Sequence, residues 1–160
     1  MKKAFTLFMI LALCFSLASC DPGSFEYDYD VMMETVTSVE LITYDNPDVK
    51  TVSYFLGDDA KYLKDFDFEK MTVVESLPDE ELDAFMTALC EKSYFIHWTF
   101  LNSPANGYNL KITYSDESFD IIALSEDFGC HYDKDGKVID HVANGLFNAN
   151  CEAFFETEFE

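Results

Sequence analysis

Cys130 and His131 stand side by side, with His141 further along, and a thiol next to an imidazole is the pairing that makes a thiolate nucleophile. Neighbouring positions on a strand point to opposite faces, so His131 cannot take the proton of Cys130. His141 comes opposite Cys130 if Asp135-Gly136 is a two-residue loop, whereas the longer glycine-bulge loop brings Asp140 there instead. A zinc site fares no better. Cys130, His131, His141 and Cys151 fit no familiar ligand spacing, and the chain has no Cys-x-x-Cys. Asp133-x-Asp135 begins like a calcium loop. Its fifth, sixth and twelfth positions are Lys137, Val138 and Asn144, where such a loop needs an oxygen ligand, glycine and glutamate.

With 31 acidic residues, any chosen carboxylate pair, such as Asp116 and Glu117, reads first as a solvated turn. A glycine-rich phosphate loop, a serine nucleophile elbow and a His-Glu-x-x-His stretch are all missing. So is arginine, the usual bidentate clamp for carboxylate and phosphate. The residues therefore predict no catalytic site, no metal site and no cofactor. His97 shares a strand face with Phe95 and is expected at a surface or rim.

The elements that position these residues follow from periodicity. Pro78 to about Lys92 is expected to be helical, with Ser76 as a cap, acids in the first turn, and a buried stripe of Leu82, Phe85, Met86 and Leu89. A second helix is expected from Asn144 to Glu156. Val36 to Tyr44 and Thr51 to Leu56 read as a first hairpin around Pro47. Gly57 to Lys70 reads as irregular, pinned by Phe66 and Phe68, and Met71 to Glu75 as a short strand. Alternation marks Tyr94 to Phe100 and Tyr108 to Tyr114. A two-residue Asp116-Glu117 turn sets Tyr114 opposite Phe119, Ile112 opposite Ile121 and Leu110 opposite Ala123. Asp135-Gly136 turns a last hairpin between Cys130–Tyr132 and Lys137–His141. The order predicts an α+β fold, an antiparallel sheet of about five to seven strands with two helices on one face.

The composition bounds the partners. A formal charge of −21 repels polyanions, which counts against nucleic acid and favours a basic protein or peptide. Aromatic residues make up 16% of the chain, too many for a disordered acidic segment. Cys90, Cys130 and Cys151 allow one disulfide at most, so the core must supply most of the stability.

The N-terminus carries Lys2 and Lys3, an apolar run from Ala4 to Leu17, and then Ala18-Ser19-Cys20. Base, apolar run and small residues before a break are the parts of a secretory signal. The run is shorter than the roughly 20 residues a spanning helix needs. Leu17-Ala18-Ser19-Cys20 resembles the lipobox of bacterial lipoproteins. The resemblance implies cleavage after Ser19, a diacylglyceryl thioether on Cys20, and a protein held at the extracytoplasmic face of the cell membrane by its acyl chains. Losing Lys2 and Lys3 makes the mature chain still more acidic. The expected organisation is a signal peptide at 1–19, a lipidated tether at 20–33 and a single α+β domain at 34–160. Beyond the lipobox the chain is similar only to small bacterial lipoproteins in general. The expected function is therefore a noncatalytic binding domain. A cysteine- or metal-dependent hydrolase and a protein inhibitor are the alternatives.

Overall fold

A computed structural model describes residues 24–47, 65–91, 94–95, 106–124, 128–143 and 153–157. The elements are β1 (Ser24–Phe25), α1 (Tyr29–Thr35), β2 (Val36–Tyr44), β3 (Met71–Ser76), α2 (Leu82–Cys90), β4 (Tyr94–Phe95), β5 (Gly107–Tyr114), β6 (Phe119–Ala123), β7 (Phe128–Tyr132) and β8 (Val138–Ala143). Single 3-10 turns at Phe68–Lys70 and Asp79–Glu81 precede β3 and α2. The main sheet has the order β3-β2-β5-β6-β7-β8 with every pairing antiparallel, and β1 pairs separately with β4. The fold is α+β, an open six-stranded antiparallel sheet with two helices.

Both faces of the sheet are buried, which explains why β6 reads Phe-Asp-Ile-Ile-Ala rather than as an alternation. On one face Val39, Leu41, Leu110, Ile112 and Ile122 form a core with Met32 of α1 and Phe85, Met86 and Leu89 of α2. On the other, Ile42, Tyr44, Phe119, Ile121, Cys130 and Tyr132 pack beneath Phe66. Phe66 meets the rings of Tyr44, Phe119 and Tyr132 at centroid distances of 5.1, 5.4 and 5.7 Å. Each such aromatic pair adds about 0.5–1.5 kcal/mol beyond its buried area. Phe66 therefore pins its segment as expected, with Phe68 lying half-exposed against it.

Several sequence expectations are corrected. The two helices on the sheet are α1 and α2. Residues 144–152 of the expected C-terminal helix lie outside the described residues, and 153–157 form turns and bends that bring Phe155 into the first core. Part of the segment expected as a tether at 20–33 is folded, because α1 begins at Tyr29 and buries Met32. A polar leader forms this helix because Asp28 caps it: its carboxylate accepts the Val31 N–H at 3.1 Å. Thr51 to Leu56 lies outside the described residues, and both sides of β2 at Glu40–Tyr44 are taken by β3 and β5. Helix α2 has the expected stripe, but Ser76 is not its cap. Pro78 precedes the 3-10 turn without a side-chain cap bond.

The β5–β6 hairpin is offset by one residue from expectation. Thr113, rather than Tyr114, faces Phe119, and Lys111, rather than Ile112, faces Ile121. Tyr114 C=O accepts the Glu117 N–H at 3.0 Å, and Tyr114 N–H donates to Ser118 C=O at 2.9 Å. The loop is thus the three residues Ser115, Asp116 and Glu117, with Glu117 in the left-handed region at φ 70°. Asp116 steadies it, since one of its carboxylate oxygens accepts both the N–H and the hydroxyl of Ser118.

The β7–β8 hairpin also turns through three residues, with Gly136 at φ 80°. A bulge between His131 and Tyr132 restores the register that sets Cys130 opposite His141 and His131 opposite Asp140. Gly136 does more than turn the chain. Its C=O accepts the Phe66 N–H at 2.6 Å, and a Cβ there would lie 2.6 Å from Phe66 O. Gly136→Ala is accordingly expected to destabilise the domain by about 2–3 kcal/mol, measured by urea unfolding, through positive φ and loss of this close approach. An unchanged midpoint contradicts the packing of Phe66 on the hairpin.

Candidate functional site

The loop offset has a chemical consequence. It turns Asp120 to the helix-covered face, opposite Ile112 on one side and His131 on the other. Asp120 is almost fully buried, and three side chains converge on it. His131 Nδ1 lies 2.7 Å from Oδ1. The hydroxyls of Tyr114 and Tyr27 donate to Oδ2 at 2.6 and 3.1 Å. A carboxylate opposite Nδ1 fixes the imidazole with its proton on that nitrogen, the orienting role an acid plays beside a catalytic histidine. The His131 side chain is 29% exposed and that of Asp120 only 3%, so the pair runs from the core to the surface. The Tyr114 and His131 rings meet edge to face at 5.8 Å.

The electrostatics follow from burial. Burial pushes the Tyr114 phenol far up, and the adjacent Asp120 carboxylate and its hydrogen bond push it further. Asp116 is held low by its hydrogen bonds from Ser118, and more weakly by the nearby His131. Burial, then Asp28, pushes up the Cys90 thiol, which disfavours the thiolate.

Among the described side chains, those weighed in the sequence do not assemble into one site. Cys130 is fully buried in the second core, whereas His131 lies on the opposite face with Asp120. Both Cys90 and Cys130 are thiols. Cys151 and His97 lie outside the described residues, as does the side chain of His141. Asp133 does not open toward a cation: its Oδ1 accepts the N–H groups of Asp135 and Lys137 at 3.0 and 2.9 Å, closing its own turn. Among the described residues, no group of three His, Cys, Asp or Glu side chains is placed to hold a metal ion. Nor is any described helix long and apolar enough to cross a membrane.

Asp120, Tyr27 and Tyr114 are the functional candidates that sequence reasoning missed. Their one signal was a lone acid inside the apolar run Phe119–Ala123, which demands partners wherever that strand is buried. No protein-family model, curated protein or solved structure matches the chain.

Two outcomes follow from this cluster. Asp120→Ala removes the shared acceptor of three buried or half-buried donors and is expected to cost about 3–5 kcal/mol in chemical denaturation, against about 1–2 kcal/mol for Tyr27→Phe. Equal, small effects contradict the buried network. The raised Tyr114 pKa gives a second outcome, with its sign fixed by linkage. Its contribution is complete below the ordinary tyrosine value of about 10 and is lost above it, as the phenol ionises in the unfolded chain first. Stability of the domain should therefore decline more steeply above about pH 10 than that of Tyr114→Phe, by up to about 1.4 kcal/mol per pH unit. Parallel pH profiles contradict it.

Proposed function

We propose that the chain is an exported bacterial lipoprotein, anchored to the extracytoplasmic face of the cell membrane through acyl chains on Cys20. Its domain is a noncatalytic binding module for a basic protein or peptide. The lipobox-like Leu17-Ala18-Ser19-Cys20 behind a short apolar run supports the anchor. The exposed acids support the binding reading and carry it: Glu26 and Asp28 before α1, Asp30 in its first turn, and the unbroken Asp79-Glu80-Glu81 before α2. Such a surface steers cationic partners and repels nucleic acid. The separation of Cys130 from His131 onto opposite faces counts against those two as a nucleophile and its base.

The anchor and the domain are close. Only Asp21, Pro22 and Gly23 separate Cys20 from β1, and extended chain covers at most about 3.6 Å per residue. On this reading the acidic segment Glu26–Asp30 sits near the headgroups, and charge repulsion keeps the body from lying flat on anionic lipid.

Mass spectrometry of the chain purified from bacterial membranes tests the anchor: residues 1–19 absent and Cys20 diacylated, with Cys20→Ser leaving the membrane fraction. Intact Met1 or an unmodified Cys20 contradicts it. Affinity capture with the full chain tests the module. The expected outcome is saturable retention of a basic partner that weakens as salt rises, and salt-insensitive capture of neutral or acidic proteins contradicts it.

A further inference from the structure

The six-stranded sheet ends at β3, whose sole neighbour among the described strands is β2. Val73 and Val74 are both 42% exposed, and Thr72 is exposed beside them. Two consecutive exposed valines on an edge strand form a template for another chain, which proteins ordinarily blunt with charge. Here the exposed charge lies at the two ends instead. Glu69 and Lys70 are exposed before the strand and Asp79, Glu80 and Glu81 after it, while Glu75 within it is half-buried and accepts the Glu156 N–H and the Thr157 hydroxyl.

The ladder also tells which main-chain groups are on offer. Asp45 N–H donates to Lys70 C=O at 3.1 Å, so Thr43 and Thr72 form the next bonded pair of the antiparallel ladder. Alternation then turns the C=O of Met71 and both the N–H and C=O of Val73 away from β2, while the Met71 N–H is already given to Phe68 C=O. The register shift that follows, opposite Leu41 and Ile42, makes Val74 an extra residue on β3, which limits the regular outer edge to its first half.

We infer that the outer edge of β3 takes an extended, lysine-bearing peptide segment as an added strand. Main-chain bonds to the Met71 C=O and to the N–H and C=O of Val73 supply the attachment, and the acids that follow the strand select a basic occupant. A second copy of this chain is disfavoured by the same charges. Parallel mates align the acids of one copy with those of the other, and antiparallel mates offer those acids only the neutral Glu69–Lys70 pair where a basic segment offers lysines. This inference rests on the binding-module reading and names the surface that performs it.

The test uses the full chain in detergent and a labelled synthetic peptide of alternating threonine and valine with two lysines at each end. Two control peptides accompany it, one with glutamates replacing the lysines and one with alternate amides N-methylated. Fluorescence anisotropy should show saturable binding of the basic peptide and at least about tenfold weaker binding of both controls. Val73→Pro deletes one outward N–H without touching the β2 ladder and should weaken binding comparably. If that variant fails to fold, the surface double variant Glu80→Lys, Glu81→Lys decides, with an expected loss of several-fold. Equal binding of the methylated peptide, or no effect of the variants, overturns the added strand. A β3-dependent dimer in sedimentation replaces it with self-pairing. Retention of a basic partner by Val73→Pro in affinity capture sinks the edge assignment and leaves the binding module standing.

Discussion

Burying a carboxylate in the middle of an apolar strand costs several kcal/mol unless the charge meets donors of its own. Asp120 is that carboxylate, and much of the architecture follows from satisfying it. Tyr114 must reach across from β5, His131 from β7, and Tyr27 from the segment that enters α1. One side chain thus ties together three strands and the N-terminal end of the folded body. Tyr27 also packs at the margin of the first core, so the same contact that closes the polar cluster seals the apolar one.

The two cores impose different demands. The helix-covered face mixes aliphatic side chains with Phe85 and Phe155, and Met32 and Met86 fill the gaps between them. The other face has no helix among the described residues. It is closed by a short segment whose Phe66 reaches into a nest of rings, with Phe119 and Tyr132 stacked at 5.3 Å. Cys130 belongs to this apolar layer, which accounts for a buried thiol without reference to reactivity. A small acidic domain that buries both sheet faces concentrates its charge at the rims and ends of elements. That is where the proposed contacts with a basic partner lie.

The sequence was informative wherever one physical signal dominated. The stripe Phe85, Met86 and Leu89 could be read because only a helix gathers those positions on one side. The Asp-Gly turn could be read because Gly136 is needed at positive φ. The β5–β6 register could not be read. When both faces of a strand are apolar, alternation fits either of two registers equally well, and the choice falls to the turn. That turn places Glu117, rather than glycine or asparagine, in the left-handed region, so nothing in its composition announced a third loop residue. The candidate site was lost with it, because a one-residue offset moves Asp120 to the other face. Helix α1 escaped notice for a different reason. It is only seven residues long with a single buried side chain, Met32, and it is started by the Asp28 cap.

The register of β5 against β6 is the claim on which the buried cluster rests, and NMR reads it directly. In an antiparallel pair, the residues that are not hydrogen-bonded to each other bring their α-protons into close contact. With Tyr114 and Ser118 bonded across the turn, the account predicts α-proton Overhauser contacts between Lys111 and Ile121 and between Thr113 and Phe119. Contacts between Ile112 and Ile121 instead would place Asp120 on the opposite face, away from His131, and contradict it.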